Sequence, residues 1–191
     1  MDFKKQCAAN IGEKSLVNFI WENIFRSTDK TQGLRQRLRD NILFQDLSST
    51  ELRLVENIVN VRHYRPGEHI FRQGEVGVGM YIIMSGVVNI YVEEMQAETA
   101  ATYVTHVTQL KSADFFGELA LVEHEGRRSA SATAHEETVL IGFYKPDLIE
   151  IIGRNPSAGV KILLRLGEVL GTRLRQTTAR ITELKKDGRG N

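Results

Sequence analysis

The chain has 191 residues, 41% of them apolar and 26% charged, with a formal net charge of +1. That length holds one ordinary domain with flanking helices or two small ones, and the near-neutral balance excludes any argument for an acidic partner from total charge. The single cysteine, Cys7, excludes an intrachain disulfide and joins no metal-spaced cluster, which fits a reducing compartment.

Residues Met1 to Asn10 carry charges without the long apolar run of a signal peptide or membrane span behind them. Leu16 to Phe25 is interrupted by Asn18, Glu22 and Asn23, so it reads as an amphipathic helix packed on protein. The expectation is a cytoplasmic protein with no membrane partner. Leu16, Phe19, Ile20, Asn23 and Ile24 form one helical stripe, and Leu34, Leu38 and Ile42 support a second. Ser48 or Ser49 caps a further short helix from Glu51 to Val59. These helices need something larger to cover, and residues 1–59 are read as an N-terminal helical segment.

The larger element, 60–145, is a run of short strands. Asn60 to Tyr64 precedes Arg65-Pro66-Gly67-Glu68, a turn in which proline fixes one dihedral and glycine admits positive φ. His69 to Arg72 follows, then a polar loop from Gln73 to Gly77 and a strong strand from Met80 to Met84. Ser85-Gly86 breaks it, and Val87 to Val92 resumes with β-branched and aromatic residues. Thr102 to Gln109, Ser129 to Ala134 and Thr138 to Phe143 complete the set. Tyr103 to Val107 alternates large apolar with polar side chains, as a strand with one buried face does. Glu93 to Ala101 is read as a loop longer than its hairpin needs. Many short strands between glycine-bearing turns argue for a small sandwich or barrel.

Residues 146–191 form a hinge and a long helix. Asp147 to Ile152 is one or two helical turns, interrupted by Gly153, Asn155 and Pro156. Pro156 to Lys186 is then a single helix of about 30 residues, roughly 45 Å long. Its heptad stripe is Val160, Leu163, Gly167, Leu170, Leu174, Thr177, Ile181 and Leu184, the spacing a parallel two-helix seam requires. A homodimer is expected from it; the alternative is a helix lying on its own barrel.

The segment with chemical content is Asp114-Phe115-Phe116-Gly117-Glu118-Leu119-Ala120-Leu121, followed by Gly126-Arg127-Arg128-Ser129-Ala130. Gly117 permits a sharp entry into a short helical turn, whose unpaired backbone N–H groups make an anion cradle. Glu118 is poorly placed to attract phosphate but suits a neutral hydroxyl such as a ribose 2′-OH. Arg128, ten residues on, returns across the site with a bidentate fork for phosphate oxygens, and Ser129 adds a shorter donor. No lysine-serine or lysine-threonine phosphate loop is present.

Arg65 to Glu68 with Ile70-Phe71-Arg72-Gln73-Gly74-Glu75, then Met80-Tyr81-Ile82-Ile83 with Ser85-Gly86-Val87-Val88, resembles the opening half of the cyclic-nucleotide-binding domain. Phe116 to Leu121 with Arg128-Ser129-Ala130 is similar to that family's phosphate-binding cassette. The resemblance implies a mainly β fold, an eight-stranded double-layered β-roll of jelly-roll kind with N-terminal helices and a long C-terminal helix. It implies that Glu118 meets the ribose 2′-OH, that Arg128 pairs with the cyclic phosphate, and that Ser129 and the amides of Gly117 to Leu119 support it.

Pro156 to Leu184, including Arg173-Leu174-Arg175-Gln176-Thr177-Thr178, resembles the dimerisation helix of the bacterial catabolite activator family. Thr177 and Thr178 then fall where a hydroxyl pair reaches adenine, one from each subunit. Arg173 matches a helix arginine near the sugar-phosphate end, and Val107 and Thr108 match strand residues lining the base pocket. Two departures stand out. Ala113 replaces the family's usual glycine before Asp114, and the chain ends at Asn191, where the family's transcription factors continue into a helix-turn-helix domain.

The resulting expectation is a stand-alone sensor of cyclic AMP, in preference to cyclic GMP, that regulates a separate effector protein. Between Arg154 and Asn191, nine lysines and arginines oppose three acidic residues, so direct nucleic-acid binding by this basic helix is one alternative. A structural domain with a vestigial cassette is another, and the pairing of Glu118 with Arg128 argues against it. His63, His69, His106, His124 and His135 lack zinc spacing, and no nucleophile motif occurs, so neither a metal nor enzymatic activity is expected.

Overall fold

A computed structural model of the chain describes residues 33–95 and 102–187. The chain divides into two compact units, 1–36 and 37–191, and the fold lies in the second. The expected stripe from Leu16 to Ile24 lies outside the described residues.

Helix α1 covers residues 33–40 and α2 is Ser49–Glu56. The Ser48 hydroxyl accepts from the Glu51 N–H at 3.3 Å, while the Glu51 carboxylate accepts from the Ser48 N–H at 2.7 Å. This reciprocal box settles the cap on Ser48. α2 stops at Glu56, short of the expected Val59, with Asn57 as C-cap. Leu38 is buried, but Ile42 is 40% exposed. The helical period does not carry on to Ile42 because α1 ends at residue 40, and the following turn sends Asn41, Leu43 and Phe44 inward instead.

Eight strands follow: β1 Asn60–Tyr64, β2 His69–Phe71, β3 Gly79–Ser85, β4 Val88–Met95, β5 Thr102–Leu110, β6 Phe115–Phe116, β7 Ser131–Ala134 and β8 Thr138–Tyr144. They make two four-stranded antiparallel sheets, ordered β1-β8-β3-β6 and β2-β7-β4-β5. Tyr81, Ile83, Val88, Phe116, Ala132 and Leu140 form the core between them. Residues of β3 alternate between two buried faces, so Met80 and Ile82 are as buried as Tyr81 and Ile83. On the outer side Phe143 meets Phe44 edge-on at 5.5 Å, so the N-terminal helical turns roof this sheet.

Two strand expectations change. β4 runs through Met95, which pairs with Thr102, so Glu93 to Met95 is strand and not loop. Tyr103 to Val107 of β5 has no buried face: Tyr103, Val104 and Val107 are all more than half exposed, and the strand meets the core only at its end, through Leu110. It pairs only with β4, at the edge of its sheet. Alternation in sequence records that a strand has two faces and does not say what lies against either.

Helix α3, Lys145–Arg154, runs through Gly153 and stops at Asn155. Helix α4 spans Pro156–Asp187. Ala158, Ile162, Leu166 and Val169 are its buried apolar side chains, a stripe distinct from the heptad one. Lys161 reaches Glu51 at 2.8 Å and Arg165 reaches Asp46, clamping the first half of α4 to the N-terminal turns. The heptad residues Val160, Leu174, Ile181 and Leu184 remain exposed. Among the described residues no helix is long and apolar enough to cross a membrane.

Candidate functional site

β6 pairs with β3 through Phe116 and Tyr81, and the chain then turns at Gly117 with φ of 78° into a 3-10 turn, Glu118–Leu121. Glycine is required there twice over. The conformation is left-handed, and a Cβ would lie 2.5 Å from Arg128 Nη1. The first bond of the turn runs from the Ala120 N–H to the Gly117 carbonyl at 3.2 Å. The N–H groups of Gly117, Glu118 and Leu119 therefore have no partner within the turn. Upstream, Ala113 holds a left-handed φ of 79° while its N–H donates to the Ile83 carbonyl at 2.9 Å. The turn expects glycine and keeps its shape with alanine, at a strain of about 1 kcal/mol.

Arg128 is 8% exposed. Its Nη1 donates to the Gly117 carbonyl at 3.1 Å and its Nη2 to the Gly79 carbonyl at 2.7 Å. The guanidinium carbon sits 4.1 Å from the centre of the Phe71 ring. Burial lowers its pKa, opposed by the neighbouring Tyr81, Glu75 and Glu118, yet an arginine remains charged throughout. Its Nε is buried and has no hydrogen-bond partner among the described residues.

Glu118 is 5% exposed, and its Oε1 accepts from Arg173 Nη1 at 2.5 Å. Arg173 comes from α4, and its Nη2 donates to the Phe115 carbonyl at 3.0 Å as its guanidinium lies over the Phe115 ring. Arg127 is structural: its Nη1 donates to the Gly74 carbonyl at 2.7 Å and ties the loop before β3 to the cassette.

These groups surround a cavity of about 250 Å³. Of the residues expected at the site, Thr108, Phe116, Gly117, Glu118, Leu119, Arg128, Ser129, Ala130 and Arg173 line it. Val107, Thr177 and Thr178 do not. Val107 is 57% exposed, on the opposite side of the pleat from Thr108. Thr177 and Thr178 are exposed one turn beyond Arg173, their hydroxyls donating to the Arg173 and Leu174 carbonyls at 2.9 Å.

Phe71, Ile90 and Leu110 also line the cavity, unforeseen in the sequence. Ile90 had a usable signal, since it stands directly across from Thr108 on the paired strand. Phe71 had none locally, because it arrives from the other end of the same sheet. Among the described residues no group of three or more His, Cys, Asp or Glu is placed to hold a metal. His69 and His135 instead contact Tyr91 and Asn89.

A left-handed glycine, a buried carboxylate and a buried arginine thus meet at one cavity, from the turn after β6 and the loop before β7. The cyclic nucleotide-binding domain family model matches residues 61–155, and this part of the chain is a domain of that family. It is 30% identical over 139 residues to the cyclic AMP receptor protein of Thermus thermophilus, covering 73% of this chain and 60% of that protein. It is 29% identical over 155 residues to the cGMP-dependent protein kinase of Toxoplasma gondii, covering 76% of this chain and 14% of the kinase. The crystal structure of the Thermus thermophilus catabolite activator protein matches with a TM-score of 0.64 at 30% identity, covering 76% of this chain and 63% of that one. The chain thus spans less than two thirds of the length of each of these relatives.

Proposed function

We propose that the chain is a cyclic AMP sensor that works as a homodimer and regulates a separate effector protein, by binding and not by turnover. The observation that carries this reading is Arg128: a buried guanidinium lining the cavity, with its Nε–H left without a partner. A buried unsatisfied donor is costly, and an anion accepting from it removes the penalty. The cyclic phosphate takes that donor, with Ser129 and the amides of Gly117 to Leu119 beside it. The ribose 2′-OH donates to Glu118, and the base lies toward Thr108, Ile90 and Leu110.

The preference for cyclic AMP rests on Thr177 and Thr178 and on the likeness to a cyclic AMP receptor protein. The threonines stand outside the cavity in one chain, so this reading has them brought to the base when two α4 helices associate along Leu174, Ile181 and Leu184. In this division of labour 1–59 supports, 60–145 binds and 146–191 transmits. Transmission runs through Arg173, which here holds Glu118. A ribose hydroxyl competing for Glu118 changes what secures the second half of α4. Ligand then shifts α4 by as much as its affinity differs between the two arrangements.

Calorimetry on ligand-stripped protein tests this. Cyclic AMP binds more tightly than cyclic GMP, and Arg128→Ala weakens binding about 100-fold, as loss of a charge-assisted fork does. Absence of binding by both nucleotides at millimolar concentration, or an equal effect of Arg189→Ala, contradicts it.

A further inference from the structure

Arg128 presents a problem of its own. Its guanidinium is almost wholly withdrawn from water, yet among the described residues no carboxylate is bonded to it; its two partners are neutral carbonyls, of Gly117 and Gly79. A long, flexible cation held only by two carbonyls has every incentive to swing out to solvent. The third neighbour is the face of Phe71, 4.1 Å from the guanidinium carbon.

That ring is itself immobilised. It stacks on Tyr81 at 6.1 Å and packs on Phe116 at 5.7 Å, while Tyr81 and Phe116 stack on each other at 5.7 Å. Tyr81 and Phe116 belong to the core between the sheets, and Phe71, half-buried, packs against it. The residues just after Phe71 also grip the backbone of Arg128: the Gly74 N–H donates to the Arg128 carbonyl, and the Arg128 N–H to the Glu75 carbonyl, both at 2.8 Å. The Gln73 N–H adds a bond to the Ser131 hydroxyl at 2.9 Å. One short stretch, 71–75, thus fixes both the backbone and the charged end of Arg128.

We infer that Phe71 is a positioning residue for Arg128: its π face holds the desolvated guanidinium in place, with the Nε–H unspent, ready for an anionic ligand. The inference rests on the proposed cyclic nucleotide reading. A cation over an aromatic face is strongest when water is excluded, as it is here. Phe71 does not touch the phosphate in this account. It acts by removing the alternative positions that Arg128 would otherwise take, so its contribution is seen only where Arg128 is present.

The test is cyclic AMP binding by calorimetry to the full chain and to Phe71→Leu, Phe71→Tyr, Arg128→Ala and Phe71→Leu/Arg128→Ala. Phe71→Leu keeps an apolar side chain and removes the π face, so affinity falls about 10- to 30-fold. Phe71→Tyr restores the face and brings affinity back to within about threefold of the parent chain. In the Arg128→Ala background, Phe71→Leu changes affinity by less than about twofold, an outcome that a merely structural role for the ring does not produce. Equal losses for Phe71→Leu and Phe71→Tyr, or an equal loss with and without Arg128, overturn the positioning role while leaving the nucleotide reading intact. If the parent chain itself binds no cyclic nucleotide, that reading fails, and this role fails with it.

Discussion

The two halves of α4 are one unbroken helix with opposite duties. In the first half Ala158, Ile162, Leu166 and Val169 are buried, and Lys161 and Arg165 are paired with Glu51 and Asp46. In the second half every residue from Thr172 to Lys186 is exposed, including Leu174, Ile181 and Leu184. Among the described residues, the one side chain of the second half with a hold on the β-roll is Arg173, on Glu118 and Phe115. The first half is anchored by area, which a small ligand does not alter. The second is anchored through one side chain, Arg173, on Glu118 and on Phe115 at the rim of the cavity, where the proposed ligand would compete for Glu118. Coupling needs an element with two accessible arrangements, and the proposed function assigns that part to the second half of α4.

Substitutions in the two halves break or sharpen this contrast. Leu166→Ala in the first half opens a cavity under the helix and lowers stability by about 3 kcal/mol, read as a shift in the urea midpoint. A loss below about 1 kcal/mol contradicts the anchoring role. In the second half, Leu174→Ala with Ile181→Ala leaves the β-roll folded by circular dichroism and shifts sedimentation from dimer to monomer at equal protein concentration. Unchanged sedimentation removes the seam.

The smallest expected effect concerns the Glu51–Lys161 clamp. The Lys161 ammonium, then the Ser48 amide, hold the Glu51 carboxyl below the ordinary glutamate value of 4.5. A carboxyl with a depressed folded-state pKa contributes stability in full above its unfolded value and loses it as pH falls through the folded one. Stability of the parent chain therefore declines below about pH 4.5, and Lys161→Ala makes that decline shallower by about 1 kcal/mol or less. Denaturation curves on both sides of that pH check it, and identical slopes in the two proteins contradict it.

The same contrast shows where sequence reasoning reaches and where it stops. A helix of α4's length was legible from periodicity, and so was the exposed heptad stripe. The buried stripe was not separated from it, because 3.6-residue periodicity marks apolar positions without saying what each one faces. β5 failed for a related reason: Tyr103-Val104-Thr105-His106-Val107 alternates only loosely, and at the sheet edge the strand is covered only toward Leu110. Strand positions were legible because β-branched runs and glycine turns act locally. In the site, Gly117, Glu118 and Arg128 could be read because they sit close in sequence and their chemistry is distinctive. Phe71 and Ile90 were not, since only the sheet pairing brings them there. Ala113 was readable as a departure, and the structure shows that backbone bonds on either side hold the left-handed turn in spite of it.

Amide hydrogen exchange of the full chain, with and without cyclic AMP, tests the central claim most directly. The account predicts slower exchange in the cassette from Phe116 to Ala130, changed exchange from Thr172 to Lys186, and none from Ala158 to Val169. Protection of the cassette with no change beyond Thr172 would contradict it, because the ligand would then be bound without being felt by the helix.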